Sequence, residues 1–555
     1  MEAHPLRFLR NLGRSSEIAT VLLNYGFGDL LYRSGMRRSL DRGWRWLRFK
    51  RPEPVVEYTT SQRIRMALQD LGPTFVKFGQ VMSTRPDILP SELLDELALL
   101  QERVPPFSGE EAAATVEAEL GRPVSELFAS FTLEPLAAGS LGQVHRARAH
   151  DGSELAVKIR RPNVVRDVER DLSLLGELAA LLDYSVPEAR VFDPTGLVNH
   201  FARTIRREMN FHREARNIQE FQRLFRNDAT LRIPHVYEEL TTEAVLTMDF
   251  VTGERADDPE ALRARGICPK GVARNGALIF MKQAFDLGVF HGDPHPGNLR
   301  VMSDGTIALL DFGMVGTLDE SKRDELVDMF LAVVRHDIRR TVSMVQVICP
   351  PSRPIDQNLL TADVRDFVEG FYELPLERIK VGRLLGDFVH MLSDHGLRCP
   401  GDLMLFIRAI ITLEGVGRAL DPRFNLAGEL QPFIERVVRR RYEPKRMFHR
   451  AYDDVRSLLS AAHDLPLSTS RVLEKLAHDD LRIKFEHRGL DHLITEFDRS
   501  SNRVVIAVII ASLILSSALV LRSGVTSSWI TIPVFLLSGF LGVWLIYGVL
   551  RSGRL

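Results

Sequence analysis

FHGDPHPGNL, Phe290 to Leu299, gathers two histidines, an aspartate and an asparagine into ten residues. Two chemistries compete for it. His291, Asp293 and His295 could be metal ligands, since imidazole and carboxylate are common donors. Alternatively, Asp293 and Asn298 stand five positions apart, the spacing of a phosphoryl-transfer loop in which the aspartate is a base and the asparagine a magnesium ligand. Each reading demands different companions, so the rest of the chain arbitrates.

Transfer of phosphate from ATP needs backbone amides over the phosphates, a lysine oriented by an acid, a second acid to carry magnesium, and a base. Each part has a candidate, in the order a protein-kinase fold requires. The phosphate-covering turn runs through Leu136, Ala137, Ala138, Gly139, Ser140, Leu141, Gly142, Gln143 and Val144. Laid on G-x-G-x-x-G-x-V, it keeps Gly139, Gly142 and Val144 but places Ala137 first. Fourteen residues later LAVK ends in Lys158, and Glu214, in REMNFHREARN, is the acid expected on a following helix. Asp311-Phe312-Gly313 follows Asn298 at the end of an apolar stretch and supplies the second magnesium ligand. The metal reading explains none of these companions, and His291 is expected to pack as a structural residue of the loop.

What is missing also informs. No arginine precedes Asp293, and no A-P-E follows Asp311-Phe312-Gly313. Thr317 to Glu320 reads as a capping box opening a helix, which leaves no room for the long segment that binds a peptide substrate. The expected acceptor is a small molecule, a lipid or water.

The 555 residues exceed one ordinary core. Apolar content of 45% and charged content of 26% are those of a globular chain. A net charge of −1 gives no global field for nucleic acid. The three cysteines, Cys268, Cys349 and Cys399, show no disulfide or zinc spacing, so a reducing compartment is expected. Val504–Leu521 and Ile530–Leu550 are uncharged runs, each long enough as a helix to cross about 30 Å of hydrocarbon. With Arg499, Arg503, Arg551 and Arg554 flanking the pair, they predict a transmembrane hairpin and a cytoplasmic catalytic part, hence a multi-pass inner-membrane protein. Small residues four apart (Ser512 and Ser516, Ser538 and Gly542) would permit close helix approach and a homodimer.

The organisation follows from composition. Residues 1–57 are basic, with Leu40, Trp44 and Leu47 on one helical face among arginines, the make-up of a membrane-surface helix. Residues 58–130 read as helices, capped by Ser91 and Ser108. Residues 131–255 begin with β-type alternation and an Asp151-Gly152 hairpin signal. Helices are expected over Val164–Leu182 and Leu197–Phe225, and short strands near Val236 and over Val245–Phe250. Residues 256–441 are mostly helical, 442–500 a helical linker, and 501–555 the two spans. The class predicted is α+β: two kinase-like lobes (131–255 and 256–441), a helical N-terminal extension and the C-terminal hairpin.

These residues resemble the UbiB-like atypical kinases, the ABC-one/COQ-eight group linked to ubiquinone and other prenyl-lipid metabolism. The signature is FVKFGQ, Phe75–Gln80, which matches the family's K-x-G-Q with Lys77, Gly79 and Gln80. The resemblance covers roughly residues 60 to 440. It implies a kinase-like fold whose K-x-G-Q helix covers the active site, excluding protein substrates and favouring ATP hydrolysis or action on a lipid-like molecule. By the same resemblance Lys158 is the nucleotide lysine and Glu214 its partner. Asp293 is the catalytic aspartate, and Asn298 and Asp311 carry Mg2+. Met248 and Asp249 fall at the adenine hinge. The implied partners are membrane lipids and a quinone intermediate with its biosynthetic enzymes. A nucleotide-gated scaffold and a small-molecule phosphotransferase are the alternatives. Two departures stand out: Gly139 replaces the third alanine of A-A-A-S, and the family's E-x-D appears as Glu208-Met209-Asn210.

Overall fold

In the computed structural model, the described residues are 12–27, 58–83, 89–100, 105–185, 193–351, 354–372, 380–441 and scattered helical positions between 504 and 540. Two compact units divide the chain, Met1–Met447 and Phe448–Leu555.

The N-terminal extension is built from short helices: α1 (Leu12–Asn24), α2 (Thr60–Leu71), α3 (Pro73–Met82), α4 (Ser91–Ala98), α5 (Gly109–Leu120) and α6 (Val124–Leu127). Gly72, at φ +94°, turns the chain between α2 and α3, and Pro73 opens α3. Ser108 caps α5 in a full capping box with Glu111, as the sequence predicts. Ser91 does not cap α4. It is the first helical residue, and the cap position is Pro90, which has no side-chain bond to give.

The hairpin signal at Asp151-Gly152 holds, with Gly152 at φ +90°. Around it β1 (Ser130–Phe131), β2 (Ala137–Ala138), β3 (Gly142–Arg148) and β4 (Glu154–Arg160) form an antiparallel sheet completed by a later strand. Three helices follow: α7 (Val164–Ser185), α8 (Pro194–Glu208) and α9 (Phe211–Leu224). The single helix expected over Leu197–Phe225 is broken in two. Asn210 leaves the helical backbone and accepts from the His212 amide, so it caps α9. Asparagine is among the best residues for that position, which gives the Asp-to-Asn departure a structural role. The Asn210 side-chain amide also donates to Glu243, Nδ2 to Oε1 at 3.0 Å.

Next come β5 (Leu231–Arg232), β6 (Val245–Asp249), which closes the sheet beside β4, and β7 (Glu254–Arg255). Val236 makes only an isolated bridge to Met248. The helical half holds α10 (Pro259–Ala264), α11 (Pro269–Met281), a π-helical turn (Lys282–Leu287), α12 (Glu320–Val334), α13 (Ile338–Ile348), α14 (Gln357–Tyr372), α15 (Val381–Asp394), α16 (Gly401–Leu420) and α17 (Leu426–Arg441). Set into it are β8 (Val289–His291), β9 (Leu299–Val301), β10 (Ile307–Leu309) and β11 (Val315–Thr317). β11 pairs antiparallel with β8, and β9 and β10 join β5 and β7 in a four-stranded sheet. The capping box expected at Thr317 is displaced. Thr317 is taken by pairing with Val289, and Asp319 caps α12 instead, accepting from the Lys322 amide.

Three apolar clusters hold the first unit. One lies under the helical half, one joins α3 to α7 and α8, and one packs α5 on the sheet. The basic face expected near Leu40, Trp44 and Leu47 lies outside the described residues. The helix before it, α1, packs inward instead, with Ile18 and Ala19 buried and Arg14 bonded to Asp171.

The membrane expectation requires correction. Among the described residues, no helix is long and apolar enough to cross a membrane. Most of 504–521 and 530–550 lies outside the described residues. Apolar composition meets one requirement of a span, but a span also needs about 20 consecutive helical residues. The transmembrane hairpin and the multi-pass inner-membrane location drawn from it are therefore withdrawn.

Candidate active site

Lys158 projects from β4, opposite Val144 on β3 and Leu246 on β6. Its ammonium donates to both carboxylate oxygens of Glu214, at 2.9 and 2.8 Å, and to Asp311 Oδ2 at 3.3 Å. The Phe211 ring lies 5.3 Å from it. Helix α9 brings Glu214 because its buried face (Phe211, Glu214, Ala215, Ile218, Phe221) repeats at helical spacing. That helix also grips the Asp311-Phe312-Gly313 turn. The Phe312 amide donates to Glu214 and its carbonyl accepts from Asn217, while its buried ring meets Phe221 edge-on at 5.1 Å.

The electrostatics follow from the triad. Burial alone would lower the Lys158 ammonium, but the Asp311 and Glu214 carboxylates outweigh it and hold its pKa well above the ordinary lysine range. Burial dominates at Glu214 and pushes it up despite Lys158. At Asp311 burial would raise the carboxyl, yet Lys158 and then the Gly313 amide prevail and hold it at about 2. Asp311 thus stays an anion while 44% of its side-chain surface remains open.

The opening decapeptide lies beside this group. Asn298 Nδ2 donates to the Asp293 carbonyl at 3.2 Å, so its Oδ1 remains as an oxygen donor. Asp311 and Asn298 therefore offer the hard oxygen ligands that magnesium takes. The two histidines are used otherwise. His295 Nδ1 accepts from the Gly297 amide. His291 is buried; its Nδ1 accepts from the Asp293 amide, so the proton sits on Nε2, which donates to the Asp311 carbonyl. That ring ties the Asp293 turn to the Asp311 turn. Among the described residues, no group of three or more His, Cys, Asp or Glu is placed to hold a metal ion.

Burial lowers the His291 pKa, with the bonded carbonyl only partly offsetting it. As pH falls below about 6.5 the unfolded chain takes up the proton first, so this contribution is present above that pH and lost below it. The fall in Tm between about pH 7.5 and about pH 5.5 is expected to be smaller in His291→Gln than in the parent. Equal falls would show that His291 titrates as an ordinary histidine.

The covering turn is positioned by packing. Ala137 and Ala138 pair with Val144 and Gln143, and the Gly139 amide closes on the Gly142 carbonyl at 2.8 Å. Gly139 is not in the left-handed region, so its substitution for alanine is not required by backbone sterics. Gly142 is the constrained glycine, since a Cβ there would collide with the Ile159 carbonyl. Ser140 is buried, Leu136 is exposed, and Leu141 packs against the cluster that holds α3. Gln143 is not turned to a ligand: it makes two 3.1 Å bonds to the Phe107 backbone.

The K-x-G-Q residues meet the E-x-N residues directly. Lys77 Nζ lies 2.9 Å from Glu208 Oε2, and Phe78 meets Phe201 of α8 edge-on at 5.2 Å. Gln80 donates to the Leu100 carbonyl at 3.1 Å. Gly79 faces Leu100, Leu68 and Leu97, and a Cβ there would collide with Leu100. Glycine to alanine inside a helix ordinarily stabilises by up to about 1 kcal/mol. Here overpacking is expected to reverse the sign, and Gly79→Ala should cost about 1–3 kcal/mol in denaturant unfolding. A stabilised variant would contradict that packing.

The side chains at the two hinge positions are committed within the fold. The Met248 side chain is buried in the core, and the Asp249 carboxylate is taken by Arg232, the His235 amide and the Tyr237 hydroxyl. Two further residues were not read from the sequence. Gln283, buried in the π-helical turn, accepts from the His291 amide. Arg408, on α16, brings a guanidinium 3.8 Å from Asp293 Oδ1. Helix α16 lies this close because Gly292 admits Leu405, which a Cβ would strike.

This arrangement is that of a kinase-like protein, and the comparisons agree. Residues 99–345 match the profile of the ABC1 atypical kinase-like domain, 364–425 that of the UbiB helical domain, and 488–551 that of the ABC1/UbiB kinase-like C-terminal domain. A relative from Xylella fastidiosa (strain 9a5c), called a probable protein kinase UbiB, is 33% identical over 82% of this chain and 84% of its own. One of the same name from Xanthomonas axonopodis pv. citri (strain 306) is 33% identical over 91% and 92%. A solved structure of a Rv3197–erythromycin complex from Mycobacterium tuberculosis is 24% identical, covers 64% of this chain and 90% of its own, and superposes with a TM-score of 0.45. The chain belongs to the UbiB-like family of atypical kinases.

Proposed function

We propose that this chain is a magnesium-dependent ATPase or atypical kinase that supports the handling of a quinone or other prenyl-lipid intermediate. The observation that carries the reading is the charged triad of Lys158, Glu214 and Asp311, with Asp293 and Asn298 on the neighbouring turn. A protein whose nucleotide site served only as packing would gain nothing from holding an ammonium between two carboxylates at this desolvation cost.

The roles follow from chemistry. Lys158, oriented by Glu214, holds the phosphates of ATP through its ammonium. Asp311 and Asn298 are the residues that would hold magnesium, which supplies charge neutralisation at the phosphates when bound. Asp293 takes the proton from the attacking hydroxyl or water as the new O–P bond forms and the bond from the γ-phosphorus to the bridging oxygen breaks, ADP leaving with the electron pair. Arg408 stands 3.8 Å from Asp293 Oδ1, and a cation beside the base favours an anionic or phenolic oxygen. The missing peptide platform supports a small acceptor: Gly313 is followed at once by β11, which pairs with β8 beside the catalytic turn. Helix α3, tied by Lys77 to Glu208, is the helix that the family resemblance lays over the site, which also favours a small acceptor.

The test follows the fate of γ-labelled phosphate from Mg-ATP, with the full chain, anionic vesicles and a phenolic quinone-headgroup mimic. Label in inorganic phosphate, stimulated by phenol or vesicles, supports the ATPase form, and label on the phenol supports the kinase form. ATP bound but never turned over under any condition would overturn the enzymatic reading in favour of a nucleotide-gated scaffold.

A further inference from the structure

Two of the three cysteines are brought opposite each other by segments that the phosphoryl-transfer site does not use. After α13 the chain runs Cys349-Pro350-Pro351, and before α16 it runs Leu397-Arg398-Cys399-Pro400. The segments are antiparallel: Pro351 pairs with Leu397, and the Arg398 amide donates to the Pro350 carbonyl at 3.0 Å. One step further in the same register, Cys349 faces Cys399. Pro350 and Arg398 occupy the hydrogen-bonded position, so the cysteines occupy a non-hydrogen-bonded one. There opposed Cα atoms stand about 4.5 Å apart and side chains approach closest. That spacing falls in the range of about 4.4–6.8 Å that a disulfide requires.

Burial agrees with the register. Leu397 and Cys399 point inward with exposed Arg398 between them, and buried Cys349 precedes exposed Pro350. Cys349 and Cys399 are 0% and 5% exposed, belong to one apolar cluster, and are both thiols. Pro350 and Pro400 have no amide hydrogen, so neither donates a ladder bond beside the pair. A cavity of about 280 Å³ is lined by Ile348 and Pro400, the chain neighbours of the two cysteines.

We propose that Cys349 and Cys399 are a disulfide-forming site, closed by an oxidant of the peroxide class. One sulfur attacks a peroxide oxygen; the O–O bond breaks, water leaves and a sulfenic acid remains. The second thiol then attacks that sulfur, the S–S bond forms and a second water departs. Two thiol protons end in water, and the peroxide takes the two electrons. The bond ties the end of α13 to the start of α16, the helix that carries Leu405 and Arg408 to the Asp293 turn. Linkage is read without turnover, so it stands or falls apart from the phosphoryl-transfer reading.

The experiment exposes the folded full chain to hydrogen peroxide, then maps non-reduced peptides by mass spectrometry and measures Tm. The expected result is the loss of two hydrogen masses, a peptide pair joining Cys349 to Cys399, and a Tm rise that dithiothreitol reverses. Cys268→Ser should retain the linked pair, while Cys349→Ser and Cys399→Ser should each lose it. The proposal is overturned by a link through Cys268 or between two chains, or by both thiols oxidised singly with no shared peptide.

Discussion

Asp293→Asn is expected to lower kcat for Mg-ATP turnover by about 10²–10⁴-fold, the range associated with removing a general base, while leaving the nucleotide Kd nearly unchanged. The reason is geometric. The Asp293 carboxylate makes no bond to Lys158, Glu214 or Asp311, and its ties to the rest of the site run through its backbone: the amide to His291 and the carbonyl to Asn298. Asparagine keeps both backbone bonds and the side-chain shape, so the fold and the phosphate site should survive. What it loses is the ability to take a proton, together with the charge that faces Arg408 at 3.8 Å. Steady-state turnover beside calorimetric nucleotide binding separates the two quantities. A fall in kcat matched by an equal fall in affinity would place Asp293 in binding rather than in proton transfer.

Lys158→Met should damage both stability and nucleotide binding. Methionine approximates the aliphatic stem but leaves Glu214, with 5% of its side chain exposed, facing Asp311 without the cation between them. Removing one member of a buried pair typically costs about 3–5 kcal/mol. Because burial already pushes Glu214 up, it is the carboxyl expected to take a proton in the variant. Adding Glu214→Gln should therefore restore much of the lost stability, a strongly non-additive pair, without restoring ATP binding. Chemical denaturation of the single and double variants measures this. Additive losses would mean that Lys158 and Glu214 are not energetically one unit.

The chemistry was more legible than the framework. Asp293 and Asn298 stand at the spacing of one turn and Lys158 at that of a hairpin from Val144, whereas Glu214 was read only as an acid on a following helix. The fold brings Lys158, Glu214 and Asp311 together and joins Asn298 to Asp293. Arg408 was not legible: it arrives from a distant helix, and only the approach of Leu405 to Gly292 brings it near. Local capping rules named Ser91 and Thr317; the helix starts one residue early in the first case, with Pro90 at the cap, and strand pairing takes Thr317 in the second. The break at Asn210 hid inside a periodic apolar pattern that continues on both sides of it. Met248 and Asp249 were placed correctly on the strand, but pattern alone could not show their side chains committed to the core and to Arg232.

The most direct test of the account is the affinity of the full chain for ATP, measured by calorimetry with Mg2+ and again with a chelator, alongside Asp311→Asn. The account predicts tight binding that depends on Mg2+ in the parent and loses most of that dependence in the variant, because Asp311 is the carboxylate assigned to the ion. Binding indifferent to Mg2+ and equal in both proteins, or no ATP binding at all, would contradict it.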